Sequence, residues 1–352
     1  MSDFLGNAYP RLADKLKKLS IASLPTPVSQ HEISTTAGKR HVMVKHDDQT
    51  SELYGGNKVR KLEYLFRRAQ DRGAKRVATF GAVGSNHALA TALHARQFGL
   101  ECTCFLSHQR RTPRIRDTLD MHLELGTELI RWGGRTNMIE LYRRTLQHRN
   151  TWVIPLGGTC WLGAVGFVNA GLELAAQIEA GSMPAPDRIY MANGTMGSVA
   201  GLAVGLGLAN IESDIHAVRV ADNPFARREF LNKLVAKTAA LLHRLDPAIA
   251  ADAGHKTNIV WRDDFYAGGY AAVDERTQNA VNLAATEWGL KLETTYTGKA
   301  LAALLHDIEA SAPDARYLFW NTYNSRALSA RTASAAKPDG LPEAFMRYYD
   351  ST

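Results

Sequence analysis

The segment "LYGGNKVRKLEYLF" (53–66) places three cationic residues directly after a Gly-Gly pair, and one of them is a candidate catalytic amine. On a helix, Lys58 shares an apolar face with Leu62 and Leu65, which lie four and seven residues further along. Partial burial and the positive end of the helix dipole both favour a neutral amine, which Schiff-base chemistry requires. The alternative is a lysine that extends its amine into water. The remaining cations are predicted to point toward solvent: Arg60, Lys61, Arg67 and Arg68.

A glycine-rich turn follows the predicted strand "RIYMA", in the segment "NGTMGSVAGLAVGLGL" (193–208). Gly194 and Gly197 permit a tight backbone path, and Thr195 and Ser198 supply hydroxyls. The free N–H groups at the start of the next helix favour an anion. The turn has neither the lysine of a Walker loop nor the glycine spacing of a dinucleotide site. It predicts a site for a phosphate monoester, with a purely structural turn as the alternative.

Polar side chains also stand at two other ends of predicted strands. In "TFGAVGSNHALATALHA" (79–95), Ser85, Asn86 and His87 lie where a strand turns into a helix. They are candidates to bind a substrate carboxylate and a hydroxyl on a bound ring, although Ser85 would look the same as a simple helix cap. The apolar strand in "YLFWNTYNS" (317–325) ends in polar residues, and strand ends are where α/β proteins bind ligands.

The elements that position these residues alternate between strand and helix almost throughout, which predicts an α/β fold with mainly parallel sheets. The pattern predicts strands at 41–47, 75–82, 100–107 and 187–193, and helices at 58–72, 86–98 and 162–180.

The length of 352 residues favours two domains. We predict a small domain at 55–162 and a large domain formed by 1–54 and 163–352. Because no Pro- or Ser-rich linker separates them, the chain is expected to cross between the domains more than once.

The composition narrows the function classes. The net charge is +7, but the basic residues are not interleaved with aromatics, so we expect no nucleic-acid partner. The longest apolar run, 199–211, is shorter than the roughly 20 residues of a membrane span, and the N-terminus lacks the order of a signal peptide. Three cysteines without ligand spacing predict neither a disulfide framework nor a metal site. A cytoplasmic protein without a membrane partner is expected.

Four segments taken together, "GGNKVRKLE", "GAVGSNHALATA", "NGTMGSVAG" and "TYTGKALAAL", resemble the family of D-cysteine desulfhydrase and 1-aminocyclopropane-1-carboxylate deaminase. These are pyridoxal-phosphate enzymes whose fold is related to the β-subunit of tryptophan synthase. The likeness runs in order along most of the chain, starting at "LPTPV" (24–28). It implies a two-domain fold type II enzyme, pyridoxal 5′-phosphate as cofactor, a small amino-acid substrate and a homodimer.

The resemblance also implies residue roles. It makes Lys58 the lysine bonded to the cofactor and, with Ser85 and Tyr296, a catalytic residue. The implied cofactor-binding set is Lys58, Asn86, Gly194, Thr195, Met196, Gly197, Ser198 and Thr322. The implied substrate-binding set is Ser85, Asn86, His87, Thr159, Tyr270 and Tyr296.

The activity implied is β-elimination with deamination of a D-cysteine-like amino acid, giving a 2-oxo acid, ammonia and a leaving group such as sulfide. Thr322 would pair with the pyridine nitrogen, and a neutral hydroxyl does not keep that nitrogen protonated, which favours elimination. Alternatives in the same class are deamination of 1-aminocyclopropane-1-carboxylate, sulfite release from cysteate, and racemisation. A further alternative is an α/β protein that binds a phosphate ligand without catalysis.

Two segments depart from the family pattern. The chain has "GGTCW" (157–161) where the family has Gly-Gly-Ser-Asn, and "NTYN" (321–324) where it has His-Thr-Gly-Gly. Trp161 and Tyr323 are large enough to reshape a substrate pocket. The departures predict either a leaving group other than the thiol of D-cysteine or neutral changes around an unchanged site.

Overall fold

The computed structural model describes residues 3–36, 38–112, 114–133, 143, 150–223, 225–310, 312, 314–326 and 339–350. The chain forms two compact units. The large unit comprises Met1–Tyr64 and Thr159–Ser325, and the small unit comprises Leu65–Gly158 and Arg326–Thr352.

These units differ from the predicted domains at both ends of the small unit. The first turns of the helix Asn57–Asp71 belong to the large unit, where Arg60 is bonded to Asp47. The C-terminal segment belongs to the small unit because Arg116 Nε donates to the carbonyl of Tyr348 at 2.8 Å. The predicted small domain spans 55–162, whereas the small unit starts at Leu65 and includes the last segment of the chain.

The large unit is built on a six-stranded sheet in the order β1-β2-β10-β7-β8-β9, with strands numbered along the chain. Its strands are β1 (Val28–Thr35), β2 (Gly38–Lys45), β7 (Arg188–Asn193), β8 (Asp214–Arg219), β9 (Ile259–Arg262) and β10 (Tyr317–Trp320). All neighbours are parallel except β1 and β2, which form an antiparallel edge. The carboxyl ends of β10, β7 and β8 therefore meet at one edge, where the polar segments after β10 and β7 begin.

Helices cover both faces of this sheet. On one face, the helix Thr297–Glu309 contributes Leu301 and Leu304 to a core shared with Tyr190 and Phe319. On the other, Phe167 packs against Trp320 with ring centroids 5.9 Å apart. The helices assigned wholly to this unit are Phe4–Ala8, Pro10–Lys15, Trp161–Glu179, Gly197–Ala209, Arg228–Leu245, Glu275–Thr286 and Thr297–Glu309, with short 3-10 turns at Asp47–Gln49 and Ala253–His255.

By length and composition, the helix Trp161–Glu179 could span a membrane, but 72% of its most apolar 18-residue stretch is buried inside the protein. That burial is typical of a core helix.

The small unit contains a four-stranded parallel sheet in the order β5-β4-β3-β6. Its strands are β3 (Arg76–Ala82), β4 (Glu101–Ser107), β5 (Glu128–Arg131) and β6 (Thr151–Val153). Its helices are Asn86–Gln97, Arg114–Glu124 and Glu343–Met346, with a 3-10 turn at Leu156–Gly158. The predicted α/β class, with two mostly parallel sheets flanked by helices, is confirmed.

Candidate functional site

The Gly-Gly turn before Lys58 is held against the end of β10. Gly56 has φ +100, and a Cβ there would lie 3.0 Å from the carbonyl oxygen of Thr322. The backbone N–H of Asn57 donates to that same carbonyl at 3.1 Å. The fold thus brings Thr322 to the start of the helix that carries Lys58, two residues that lie far apart in the sequence.

The departure at 321–324 contributes to the same turn. Asn324 is buried, and its Oδ1 accepts a hydrogen bond from the N–H of Gly55 at 2.8 Å. Tyr323 is also buried, with 4% of its surface exposed. For Asn324, the neutral interpretation of this departure is therefore the better one, because the side chain supports the Gly-Gly turn.

Lys58 lies in the first turn of the helix Asn57–Asp71 and is partly buried. Burial lowers the pKa of its amine to about 8. A pKa near 8 leaves about a tenth of the amine neutral at pH 7, which is enough for it to act as a nucleophile or base.

The prediction that Arg60 and Lys61 point to solvent is wrong, since each is only 1% exposed. The guanidinium of Arg60 forms salt bridges of 2.7 Å with Asp47 and with Glu173. The helical wheel placed these two charges on the solvent side because it does not include the carboxylates that other parts of the chain contribute. Arg67 and Arg68, in the next turns, are partly exposed.

Lys61 contacts the glycine-rich turn, a position that the sequence did not reveal. A Cβ at Gly197 would lie 2.9 Å from Lys61 Nζ and 3.0 Å from Thr159 Oγ1. Burial and the nearby charge of Lys58 lower the pKa of Lys61 well below its ordinary value, and the charge of Cys160 offsets this only in part. Its spacing of three residues from Lys58, one turn along the helix, is the signal that could have indicated it.

The glycine-rich turn has the shape of an anion cradle. Met196 adopts a left-handed conformation with φ 69, and no side chain among the described residues caps the helix Gly197–Ala209 that follows. Thr195 Oγ1 accepts a hydrogen bond from Thr159 Oγ1 at 2.6 Å, and Ser198 Oγ accepts one from Asn57 Nδ2 at 3.0 Å. The hydroxyl of Thr159, a residue predicted to bind substrate, therefore lies at the glycine-rich turn.

Asn193, at the end of β7, is a second residue that the sequence did not single out. It is 1% exposed, and neither atom of its side-chain amide has a hydrogen-bond partner among the residues that the structure describes. Buried amides are normally hydrogen-bonded, so an unpaired one next to Gly194 fits a polar ligand at the turn.

Tyr270 and Tyr296 form a hydroxyl pair. Their oxygen atoms are 2.6 Å apart, and a Cβ at Gly194 would lie 3.4 Å from the ring of Tyr296. Burial raises the pKa of Tyr270 to about 12 and that of Tyr296 well above its ordinary value. Both hydroxyls are therefore protonated at neutral pH, and one of their two hydrogens remains available beyond the bond that joins them.

The other predicted cluster lies within the small unit. Ser85 Oγ accepts a hydrogen bond from the N–H of Ala88 at 3.3 Å, so its predicted capping role is confirmed and its substrate contact remains a prediction. Asn86 is the first residue of the helix that Ser85 caps.

His87 has a defined tautomer within this cluster. Thr79 Oγ1 donates to the carbonyl of Ile154 at 3.0 Å and lies 2.9 Å from His87 Nε2. Because the hydroxyl proton is committed to Ile154, the contact with His87 is satisfied when His87 donates from Nε2.

The remaining departure from the family pattern, at 157–161, also has a structural role. Cys160 Sγ accepts from the N–H of Gly163 at 3.5 Å and caps the helix Trp161–Glu179. This supports a packed residue rather than a reactive thiol.

Comparisons with known proteins identify the family of the chain. A family model described as "Pyridoxal-phosphate dependent enzyme" matches residues 19–322. The D-cysteine desulfhydrase of Klebsiella pneumoniae (strain 342) is 32% identical over 304 residues, which cover 84% of this chain and 89% of that protein. The D-cysteine desulfhydrase of Salmonella paratyphi A is 31% identical over 332 residues, covering 90% and 96%.

Two solved structures extend the comparison. A crystal structure of an "ACC deaminase homologue" has a TM-score of 0.74 and 26% identity, covering 92% of this chain and 95% of that one. A fungal L-serine ammonia-lyase from Rhizomucor miehei has a TM-score of 0.58 and 19% identity, covering 88% and 95%, a likeness of fold alone.

Proposed function

Because the chain belongs to the family of pyridoxal-phosphate dependent enzymes, in the group of D-cysteine desulfhydrase and 1-aminocyclopropane-1-carboxylate deaminase, we propose that it is a lyase acting on a small D-cysteine-like amino acid. The reaction eliminates the β-substituent and releases ammonia and a 2-oxo acid. The observation that carries the proposal is the close approach of the Lys58–Lys61 helix turn to the glycine-rich turn. A Cβ added at Gly197 would lie 2.9 Å from Lys61 Nζ.

The residues of the large unit fit pyridoxal 5′-phosphate. Lys58 would bond to it, and Lys61 would face its phosphate. The backbone N–H groups at the start of Gly197–Ala209 and the hydroxyls of Thr195 and Ser198 supply further donors. The unpaired amide of Asn193 and the position of Thr322 beside the Lys58 turn fit the polar atoms of the ring. By its sequence motif, Asn86 would hydrogen-bond the ring hydroxyl.

When bound, the cofactor supplies an electron sink for the negative charge left at Cα. Lys58 is the base that removes the Cα proton. Its pKa of about 8 lies near neutral pH, and an amine with such a pKa both accepts and returns a proton readily.

The tyrosine pair would donate a hydrogen bond to the leaving group. One hydrogen lies in the 2.6 Å bond between Tyr270 and Tyr296, and the other would be donated to the substrate. We assign the donor role to Tyr296, because its ring adjoins Gly194 of the turn. The raised pKa of each hydroxyl keeps it protonated at neutral pH, so Tyr296 would stabilise the departing group by a hydrogen bond without losing its proton. The hydroxyl hydrogen of Ser85 would bind the substrate carboxylate, and His87, which donates from Nε2 to Thr79, would lie against the substrate.

Deamination of 1-aminocyclopropane-1-carboxylate is the second candidate, and the structural match to a homologue of that deaminase supports it. Sulfite release from cysteate is the third, and the net charge of +7 suits an anionic leaving group. The test is a product assay with D-cysteine, L-cysteine, cysteate and the cyclopropane amino acid, using Lys58→Ala as the blank.

Sulfide with pyruvate from D-cysteine supports the first candidate. 2-Oxobutyrate from the cyclopropane substrate supports the second, and sulfite supports the third. No product from any of the four would overturn the proposed reaction. We also propose a homodimer, for which light scattering would give twice the chain mass of 38.7 kDa.

A further inference from the structure

The loop of residues 263–271, here called the tyrosine loop, follows β9 and carries Tyr270. Its backbone is strained, because Ala267 and Ala271 both have φ 59, in the left-handed region that residues other than glycine rarely adopt. Such conformations persist only where neighbouring groups hold them in place.

The amine of Lys299 is the first of those groups. Lys299 lies in the segment "TGKALAAL" and is fully buried. Its Nζ donates to the carbonyl of Tyr266 at 2.7 Å and approaches the carbonyl of Gly269 at 3.4 Å. These two carbonyls flank the left-handed residues Ala267 and Gly268, so one amine spans the most strained part of the loop.

The position of this amine is electrostatically costly. Lys299 lies in the first turn of its helix, where the dipole disfavours a cation, and burial lowers its pKa to about 8. Nearby charges partly offset burial, and the amine stays mostly protonated at neutral pH. The carboxylates that favour its charge are Asp274, Glu293 and Asp222, and Arg219 opposes it.

Asp222 anchors the other side of the loop. Its Oδ1 accepts from the backbone N–H of Tyr270 at 3.1 Å and from the hydroxyl of Tyr266. With both anchors in place, the hydroxyl of Tyr270 lies 2.6 Å from that of Tyr296. Because Tyr296 directly precedes the helix that carries Lys299, the start of this helix presents one tyrosine and fixes the loop that presents the other.

We propose that Lys299 is a positioning residue whose ammonium group fixes the tyrosine loop and so sets the hydroxyl of Tyr270 against that of Tyr296. The inference rests on the proposed function, because the substrate role of the tyrosine pair gives the loop its catalytic consequence. Lys299 acts through Tyr270 and does not itself touch the substrate.

The test compares Lys299→Met with the wild-type holoenzyme. Methionine keeps most of the side-chain volume and removes the charge. Lys256→Met is the matched control, since Lys256 is exposed and bonds Asn210 elsewhere in the large unit. Hydrogen exchange of the peptide spanning 263–271 should be about tenfold faster in Lys299→Met alone, because the loop amides lose an anchor. Its kcat should fall about tenfold, with a smaller change in KM.

A double variant separates positioning from general destabilisation. In a Tyr270→Phe background, adding Lys299→Met should lower kcat by much less than tenfold, because the loop no longer delivers a hydroxyl. An unchanged exchange rate in Lys299→Met, or an equal further loss of kcat in the Tyr270→Phe background, would overturn the inference.

Two further measurements test the inference if the variant does not fold or if no substrate is turned over. If Lys299→Met does not fold, hydrogen exchange of the wild-type protein is measured against pH instead. Protection of the loop amides should fall as the pH rises through about 8, while the amides of β9 stay protected. An equal change in protection of the loop and of β9 would contradict the inference. If no substrate is turned over, the exchange result still tests Lys299, so failure of the proposed reaction is seen separately.

Discussion

The first turns of the helix Asn57–Asp71 carry two kinds of buried cation, and the pKa values of the two kinds are shifted in opposite directions. Burial alone would lower the pKa of Arg60, but Asp47 and Glu173 more than compensate and raise it. Burial likewise would raise the pKa of Glu173, yet Arg60 and Lys45 lower it to about 2. At Lys58 and Lys61, burial prevails and the pKa of each amine is lowered.

This contrast distinguishes a structural charge from a ligand-binding one. The charge of Arg60 is balanced by Asp47 and Glu173. Lys45 also bonds Glu173, although burial still lowers the pKa of its amine, and the group ties the helix to the sheet. The amine of Lys61 lies beside the glycine-rich turn, where the two negative charges of a phosphate ester would raise its pKa again, and Lys58 lies one helical turn before it. Buried cations one to three residues apart thus serve different purposes, depending on the groups brought to them by distant parts of the chain.

The largest expected effect comes from breaking the balanced group. Arg60→Met leaves Asp47 and Glu173 buried without their main cation, and removing one partner of a buried pair costs about 3–5 kcal/mol. The free energy of unfolding of the apo-protein, measured in urea, should fall by that amount. Arg67→Met is the control and should leave it nearly unchanged, since Arg67 is partly exposed and pairs with a partly exposed Asp71.

The balanced group also predicts a dependence of stability on acid. Glu173 has a folded pKa of about 2 against an ordinary value of 4.5, so its stabilising contribution is complete above pH 4.5 and is lost as the pH falls toward 2. The contribution is about 3 kcal/mol. The slope of unfolding free energy against pH in that window should be shallower in Glu173→Gln, and an equal slope would contradict the assignment.

Removing the charge at the glycine-rich turn should affect ligand binding instead. For Lys61→Met, we expect the Kd for pyridoxal 5′-phosphate to rise about 10- to 150-fold, because a hydrogen bond to a charged group contributes about 1.5–3 kcal/mol. The apo-protein should lose less stability than Arg60→Met does, since a buried cation is removed along with its desolvation cost. Fluorescence titration and urea unfolding of the same preparation measure both quantities. If the apo-protein lost as much stability as in Arg60→Met, the distinction between a structural charge at Arg60 and a ligand-binding charge at Lys61 would be contradicted.

A smaller effect is expected from Thr159→Val. The variant loses the 2.6 Å hydrogen bond to Thr195 and keeps the shape of the side chain. Cofactor affinity should weaken by about 0.5–1.5 kcal/mol, with KM for the amino acid changed less. A change confined to KM would return Thr159 to the substrate side of the site, as its sequence motif predicted.

The sequence predicted the alternation of strands and helices, the parallel sheets, and the positions of Lys58 and the glycine-rich turn, because these depend on local patterns. It did not predict the burial of Arg60, which depends on Glu173, 113 residues away. Nor did it place the C-terminal segment in the small unit, where Tyr348 bonds to Gln109 across 239 residues. Such contacts leave no periodic signal, and neither does an unpaired amide such as that of Asn193.

The central claim is that Lys58 bonds pyridoxal 5′-phosphate in the cradle formed by the glycine-rich turn. The most direct test is the absorbance spectrum of the cofactor-loaded protein beside that of Lys58→Ala. We expect a visible band of lysine-bound cofactor in the wild type and none in the variant. A wild-type protein without such a band after addition of the cofactor, or a variant that retains it, would contradict the account.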